Sequence, residues 1–411
     1  MGKKNKDKKR AFLKNRKSKK KRLWKKKSLK KLNIISLNIK IVIILLLSIL
    51  LLVVKKNKNN KLKIEIIDEK IYNDFEQMKQ RFKNDSFVNP YLEAISIFSH
   101  IFNRKSIELK NKKNNINIAM AFNDGYIYPI LVSMESVLSN SNKHESFITY
   151  HLLCCYNVIE NTLSKIKSFL NRYPLNLEII FYNMGNTFIN LEKTRITQVT
   201  FYRLLLPILI NIERILYLDG DTLTFKDLRE MYNLDFNDTY ILGTLDYLSN
   251  GVDYLELKSE KYINAGVILM NLEKLRNDKK YVELINIVNK VQLRNEDQTA
   301  INYILYPKIG ILPYKYNIFN FYDELDIKVY SDKLRINVNI SEIAEVLKDP
   351  TIIHHVICSP KPWDPNSNYM DSVSGCRQRP NCSCKRSHEI WLSFANKTDF
   401  YKEILLQYKI E

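Results

Sequence analysis

Asp219 and Asp221 flank a single glycine at the end of the apolar run Ile215-Leu216-Tyr217-Leu218. Two carboxylates this close repel each other near neutral pH unless a cation lies between them or one holds a proton. Hard divalent cations take such oxygen ligands and often share them with a substrate's phosphates. The plain alternative is an acidic turn after a strand, and for an isolated Asp-x-Asp that alternative is the stronger. Haloacid-dehalogenase-type phosphatases also carry Asp-x-Asp after an apolar strand, but they continue with Gly-Thr. Here Thr222 follows Asp221 directly, and the glycine, Gly220, sits inside the pair.

Other residues with chemical potential stand at a distance. Arg203 precedes the pair, and Asn264-Ala265-Gly266 and Asp297-Gln298 follow it. Further on comes His354-His355, ahead of Lys361-Pro362-Trp363. Read singly, each has an ordinary structural role: a helix-pairing arginine, a helix first-turn acid at Asp297, a satisfied histidine.

The elements that must position them alternate at short intervals. Strand patterns cover Ile116–Phe122, Phe147–Cys155, Leu177–Phe181, Tyr240–Asp246 and Ile263–Met270, besides the run before Asp219. Helical spacing is expected at Tyr128–Leu138, Ile159–Phe169, Arg195–Leu205, Lys279–Val291 and Asp297–Leu305. Such alternation is the mark of an α/β sheet wrapped by helices, with ligands at the carboxyl ends of its strands. The chain has only 9 glycines and neither G-x-G-x-x-G nor G-x-x-x-x-G-K, so a bound nucleotide must have its phosphates held by a metal.

The net charge of +21 suggests nucleic acid until its distribution is read. Residues 1–32 hold 18 Lys/Arg against one acid, Asp7, and account for most of it. The rest is nearly balanced and carries no zinc-finger or RNA-recognition pattern, so no nucleic-acid partner is expected. The expected organisation is a basic cytoplasmic tail (1–33), a transmembrane signal anchor (34–54), a stem (55–115), a catalytic domain (116–365) and a cysteine-containing extension (366–411). In 34–54, 17 of 21 residues are apolar, enough to span a bilayer. The larger basic block precedes it, which puts the N-terminus in the cytoplasm. Cys154 and Cys155 read as core thiols. Cys376, Cys382 and Cys384 allow a disulfide or, with His388, a zinc site.

Residues 116 to about 365 resemble glycosyltransferase family 8, the retaining UDP-sugar transferases. The resemblance rests on Asn117 to Tyr126, Thr200 to Leu204, Leu216 to Leu223, Tyr262 to Asn271 with Asn295 to Gln298, and Ile352 to Trp363. It implies a GT-A-type nucleotide-sugar transferase fold, a mixed central sheet flanked by helices. It further implies that Tyr126 stacks on the base, Ala121 gives the base room, and Asn123 accepts from uracil. Arg203 reaches the nucleotide-sugar. Asp219 and Asp221 bind Mn²⁺, with Mg²⁺ as the alternative ion. Asn264, Ala265 and Asp297 line the sugar pocket, and Gln298 lies at the reacting face. Lys361 neutralises the diphosphate. The family's third metal ligand stands eight residues before the tryptophan, which selects His355; His354 is one residue off and would point to the other side of a strand. The chain departs from the family pattern at Asn123, often Asp, at Gly125, often Asn, and at Cys358, usually Gly.

The expected protein is therefore a retaining, Mn²⁺-dependent transferase moving a hexose or pentose from a UDP-sugar to a glycan or glycoprotein hydroxyl. It is expected in a Golgi or other secretory-pathway membrane as a single-pass type II protein with its catalytic domain luminal. The alternatives are a haloacid-dehalogenase-like phosphatase and an inactive, membrane-bound binding protein of the same fold.

Overall fold

The computed structural model describes residues 69–101, 115–142, 147–155, 177–191, 198–246, 262–319, 339–355, 361–364 and 383–410, with a broken helical stretch between 158 and 173. The basic tail, residues 34–54 and the side chains of Cys376, Cys382 and Cys384 lie outside the described residues.

Eleven strands are described: β1 (Ser96–Ile101), β2 (Asn115–Ala121), β3 (Phe147–Cys154), β4 (Leu177–Asn183), β5 (Arg214–Leu218), β6 (Thr222–Thr224), β7 (Ile241–Leu245), β8 (Ile263–Asn271), β9 (Ile309–Leu312), β10 (Ile318–Phe319) and β11 (Ile352–His354). Eight form one sheet in the order β1-β4-β3-β2-β5-β8-β7-β9. β4, β3, β2 and β5 run parallel, while β8 pairs antiparallel with both β5 and β7, so the sheet is mixed. From β2 the chain goes to β3 on one side, and its other neighbour is the later strand β5. The crevice outside the carboxyl ends of β2 and β5 is thus a topological switch point, where open α/β sheets bind ligands. A second, three-stranded sheet, β10-β11-β6, stands at this end.

Both faces of the large sheet are covered. Ile118, Met120, Leu216 and Leu218 turn to the face packed with the helix Ile127–Asn140, and Ala119, Ile215 and Tyr217 to the other. In that helix every residue from Ile127 to Leu138 is buried. A helix apolar all round is one covered on both sides. Its second cover is the C-terminal pair Ser383–Ala395 and Tyr401–Tyr408, which brings Trp391 and Phe394 into the same core. The expected cysteine-containing extension, 366–411, thus holds two helices that the helical spacing set out above does not include.

Most element boundaries agree with the periodicity to within two residues. One differs for a physical reason. The stretch expected as one helix over Arg195–Leu205 is a 3₁₀ helix at Gln198–Leu205, followed by one α-turn, Leu206–Leu209, with Pro207 in its first turn. The segment expected as a stem, 55–115, is more than a spacer: it holds the helix Asn89–Ala94. Ser96–Ile101 then adds β1 to the sheet edge antiparallel to β4, and Phe75, Met78 and Leu92 join the core.

Candidate active site

Strand β5 ends at Leu218, and Asp219 and Asp221 leave it at the crevice. The Asp219 N–H donates to the Gly266 carbonyl of β8 (2.7 Å), which fixes the turn against the neighbouring strand. Thr222 Oγ1 donates to the Asp219 carbonyl (2.8 Å) and tightens it. Gly220 packs closely: a Cβ there would lie 2.9 Å from the movable end of Ile130, Cδ1, and 3.2 Å from Tyr126 Cδ1.

Asp219, Asp221 and His354 form a cluster whose ligand atoms all lie within 4.8 Å of one another. His354 Nε2 is 3.1 Å from Asp221 Oδ1 and 3.8 Å from Asp219 Oδ2. Two carboxylates and an imidazole suit a divalent cation such as Mn²⁺, Mg²⁺ or Zn²⁺. Gly266 fits the same arrangement: a Cβ at 266 would stand 2.1 Å from His354 Cε1 and 2.6 Å from Asp219 Oδ2. Gly266, next to the expected sugar-pocket residues Asn264 and Ala265, thus makes room for two members of the cluster.

His355, the expected third ligand, is not in the cluster. Successive side chains of a strand point to opposite faces. His354, paired with Thr222, faces the carboxylates. His355 turns back, its N–H donating to the Asp221 carbonyl (2.9 Å) and its Nδ1 lying 3.0 Å from the same oxygen. Burial lowers its pKa to about 4, so the ring is neutral, and its Nε2 has no hydrogen-bond partner among the described residues.

Each aspartate has its own cation on the outer side, which answers the repulsion between them. Lys361 Nζ donates to Asp221 Oδ2 (2.6 Å) and to the His355 carbonyl (2.8 Å). Burial alone would raise the Asp221 carboxyl, but Lys361 and His354 outweigh it and hold the group well below the usual carboxylate range. Arg203 donates to Asp219 Oδ1 (3.1 Å) and to the Ala265 and Thr200 carbonyls, and its guanidinium lies 4.2 Å from the centre of the Tyr217 ring. Its Nε is also 3.0 Å from Asp297 Oδ2, a contact of charge, since that N–H points to Thr200. Burial opposes the charge on Arg203, but Asp219 and Asp297 more than offset it. Burial also raises the Asp297 carboxyl to about 7, against the pull of Arg203.

A cleft of about 330 Å³ opens on this cluster, lined among others by Ala121, Asn123, Tyr126, Arg203, Asp219 and Asp221. Asn123 Oδ1 accepts from the Gly125 N–H (3.1 Å) and caps the 3₁₀ turn that presents Tyr126. Burial and the nearby Asp221 push the Tyr126 phenol up to about 12. The Tyr126 ring meets Trp363 edge-on at 5.3 Å, and Trp363 in turn packs on Trp391 at 5.7 Å. Tyr408 Oη donates to the Gly125 carbonyl (3.3 Å), so the last helix supports this turn directly.

Beyond Arg203, Gln298 Oε1 accepts from the Ala265 N–H (3.0 Å) and from Asn264 Nδ2 (3.2 Å). Gln298 Nε2 donates to Asp246 Oδ2 (2.8 Å). Asp246 and Asn317 are the two members that sequence reasoning missed. Asp246 shows only as the polar end of a strand pattern, and Asn317, which donates to Asn264 Oδ1 (3.0 Å), stands in a Tyr-Lys-Tyr-Asn turn outside the stretches that carry the resemblance.

Sheet order and cleft together define a glycosyltransferase of the GT-A type. Residues 117–367 match the model of Glycosyl transferase family 8, more than half of the chain, and the chain belongs to that family. It is similar to lipopolysaccharide 1,2-glucosyltransferase of Escherichia coli, 24% identical over 333 residues, covering 73% of this chain and 88% of that protein. General stress protein A of Bacillus subtilis is 28% identical over 189 residues, covering 43% of this chain and 63% of that protein. Among solved structures the galactosyltransferase LgtC superposes with a TM-score of 0.50 at 19% identity, covering 69% of this chain and 96% of that one.

The expected location is overturned. These relatives are bacterial, from cells without a Golgi, and no helix among the described residues is long and apolar enough to cross a membrane. A single-pass type II Golgi protein with a luminal domain is not what the fold and the relatives describe.

Proposed function

We propose that the chain transfers a hexose from a UDP-sugar to a glycan hydroxyl with retention of anomeric configuration, using a divalent cation, Mn²⁺ first among them. The observation that carries this reading is the Asp219–Asp221–His354 cluster between two different surroundings. On one side is the aromatic turn of Asn123 and Tyr126. On the other is the hydrogen-bonded group Asp246, Asn264 and Gln298. A base, a diphosphate and a sugar need these three kinds of surface in this order. LgtC was solved with donor and acceptor sugar analogues, which supports the same division of the cleft here.

Asp219, Asp221 and His354 would hold the cation, which when bound neutralises charge that develops on the departing diphosphate. Tyr126 would face the pyrimidine ring, with Ala121 giving it room and Asn123 fixing the turn. Lys361, swinging from Asp221, would add a second positive group for the phosphates. Arg203 keeps Asp219 and Asp297 in place and holds the Ala265 carbonyl at the pocket wall. Asn264, Ala265, Asp297 and Gln298 would select the sugar through its hydroxyls, which discriminate by leaving buried partners unpaired when absent.

In the reaction the bond from the anomeric carbon to the diphosphate oxygen breaks and a bond to the acceptor oxygen forms on the same face. The acceptor's proton passes to the departing diphosphate. Gln298 borders that face, and its amide, already fixed at both ends, serves as a wall rather than a nucleophile. The phosphatase and inactive-binder alternatives draw no support from fold or relatives. A screen of UDP-hexoses for hydrolysis with Mn²⁺ tests the reading: turnover that vanishes with chelator and in Asp221→Asn supports it, and turnover of simple phosphomonoesters without a nucleotide refutes it.

A further inference from the structure

Asn317 lies outside the stretches that carry the resemblance, and its amide bonds to neither aspartate of the cluster. It is nonetheless fully buried, and both ends of its amide are engaged. Nδ2 donates to Asn264 Oδ1 (3.0 Å), and Oδ1 lies 3.2 Å from His354 Nδ1. The orientation of each amide follows from its neighbours. The Gly266 N–H donates to Asn264 at 3.0 Å, which only the Asn264 oxygen can accept. Facing that oxygen, Asn317 must present its NH₂, and so must turn its own oxygen to His354. His354 Nδ1 therefore carries a proton, and Nε2, which donates to Asp221 in the ion-free protein and also faces Asp219, is the nitrogen a cation would take in place of that second proton.

The run of directed bonds continues away from the cluster. Asn264 Nδ2 donates to Gln298 Oε1 (3.2 Å) and Asp246 Oδ2 (3.3 Å), and Gln298 Nε2 donates to Asp246 (2.8 Å). Gln298 Oε1 is pinned as an acceptor by the Ala265 N–H (3.0 Å). Every member has one allowed orientation, and the run joins the proposed sugar wall to the imidazole. Phe319, edge-on to His354 at 6.1 Å, closes the ring's remaining side.

We infer that Asn317 is a positioning residue with two separable tasks: its oxygen fixes the Nδ1–H form of His354, and its NH₂ couples occupation of the sugar end of the cleft to cation binding. The inference rests on the cation and UDP-sugar reading above. A sugar hydroxyl bound at Asp246 and Gln298 stiffens Asn264, and through Asn317 the imidazole. The cation is then bound more tightly with a UDP-hexose than with UDP, and by linkage the hexose is bound more tightly with the cation present.

Two variants separate the tasks. Asn317→Ala removes both bonds. Asn317→Asp keeps an acceptor for His354 Nδ1–H but cannot donate to Asn264. Ring ¹⁵N shifts of the metal-free protein, labelled at histidine, read the tautomer. Mn²⁺ electron paramagnetic resonance titrations, alone, with UDP and with UDP-glucose or UDP-galactose, read affinity and coupling. The wild type should show Nδ1–H at His354 and tighter Mn²⁺ binding with one UDP-hexose than with UDP. Asn317→Ala should lose the tautomer and weaken Mn²⁺ binding about 10- to 100-fold. Asn317→Asp should keep the tautomer and most of the Mn²⁺ affinity, yet bind Mn²⁺ equally with UDP and UDP-hexose.

An Asn317→Ala protein with unchanged tautomer and Mn²⁺ affinity overturns the first task. An Asn317→Asp protein with wild-type coupling overturns the second, as does a wild type that binds Mn²⁺ equally with UDP and both hexoses. Failure of the underlying reading looks different: the wild type itself then binds neither Mn²⁺ nor UDP, which sinks the coupling, while the ¹⁵N shifts still decide whether Asn317 sets the tautomer.

Discussion

Replacing Gly266 by alanine adds one carbon at the most crowded point of the site. That carbon would stand 2.1 Å from His354 Cε1, 2.6 Å from Asp219 Oδ2 and 2.9 Å from His354 Nδ1, where ordinary contact begins at 3.4 Å. The imidazole must therefore retreat by about 1.3 Å, because β8 is paired on both edges and cannot yield. Metal–ligand distances tolerate only about 0.2 Å, so a displacement of this size removes His354 from the coordination sphere and disturbs Asp219 as well. The expected result is a rise of at least ~100-fold in the Mn²⁺ dissociation constant, and a fall of similar size in kcat/KM. Overpacking should cost about 1–3 kcal/mol of stability. Isothermal titration with Mn²⁺ and UDP measures the first effect, and thermal melts the last. Gly243→Ala is the control: its Cβ would meet the movable end of Ile263 at 2.6 Å, so it should cost stability and spare the ion. A folded Gly266→Ala protein that binds Mn²⁺ as the wild type does would show that His354 and Asp219 are not held against β8.

Other outcomes follow from the same geometry. Arg203→Met leaves two carboxylates without their buried cation and should cost about 3–5 kcal/mol in thermal melts, with transfer lost; Arg203→Lys should restore part of the stability but little activity, because one ammonium cannot span Asp219, Asp297 and two carbonyls. Tyr408→Phe should raise the KM for the UDP-sugar several-fold at constant kcat, since it removes the bond to the Gly125 carbonyl and no group near the diphosphate. His355 gives a pH dependence to the metal-free protein. Folded, it takes its proton only near pH 4, whereas unfolded it does so near 6.5, so stability is full above 6.5 and is lost as the pH falls toward 4. At about 1.4 kcal/mol per pH unit the interval amounts to roughly 3 kcal/mol, and His355→Gln should flatten denaturant midpoints across it.

Much of this site was legible because its groups sit where the chain leaves a strand. The Ile215-to-Asp221 run and the Asn264-Ala265-Gly266 strand each have a period and a polar end, and both lie in the cleft. His354 was missed by one residue. Sequence spacing selects His355, but side-chain direction is set by the pairing of His354 with Thr222, a residue 132 positions earlier in the chain. Asn317 and Asp246 were invisible for another reason. Their roles come from hydrogen bonds to residues 53 and 18 positions away, and no local pattern encodes such a partner. The C-terminal helices were obscured by the cysteines and turn formers before them, although Trp391, Phe394 and Ile404 carry the core-facing spacing.

The cluster's histidine hangs on the smaller of the two sheets among the described residues, three strands of three, two and three residues drawn from segments near 223, 318 and 353. The outer strand β6 is held by the buried helix Ile127–Asn140, whose Ser136 Oγ accepts from the Thr224 N–H (2.9 Å) and whose Asn140 donates to the Thr224 carbonyl (2.9 Å). Short ladders that close long loops form late in folding and open first afterwards. The large sheet can thus be complete while the chemical site is still unassembled. A bound ion, stitching the end of β11 to the residues between β5 and β6, would act as a rivet on this joint and stabilise it by mass action.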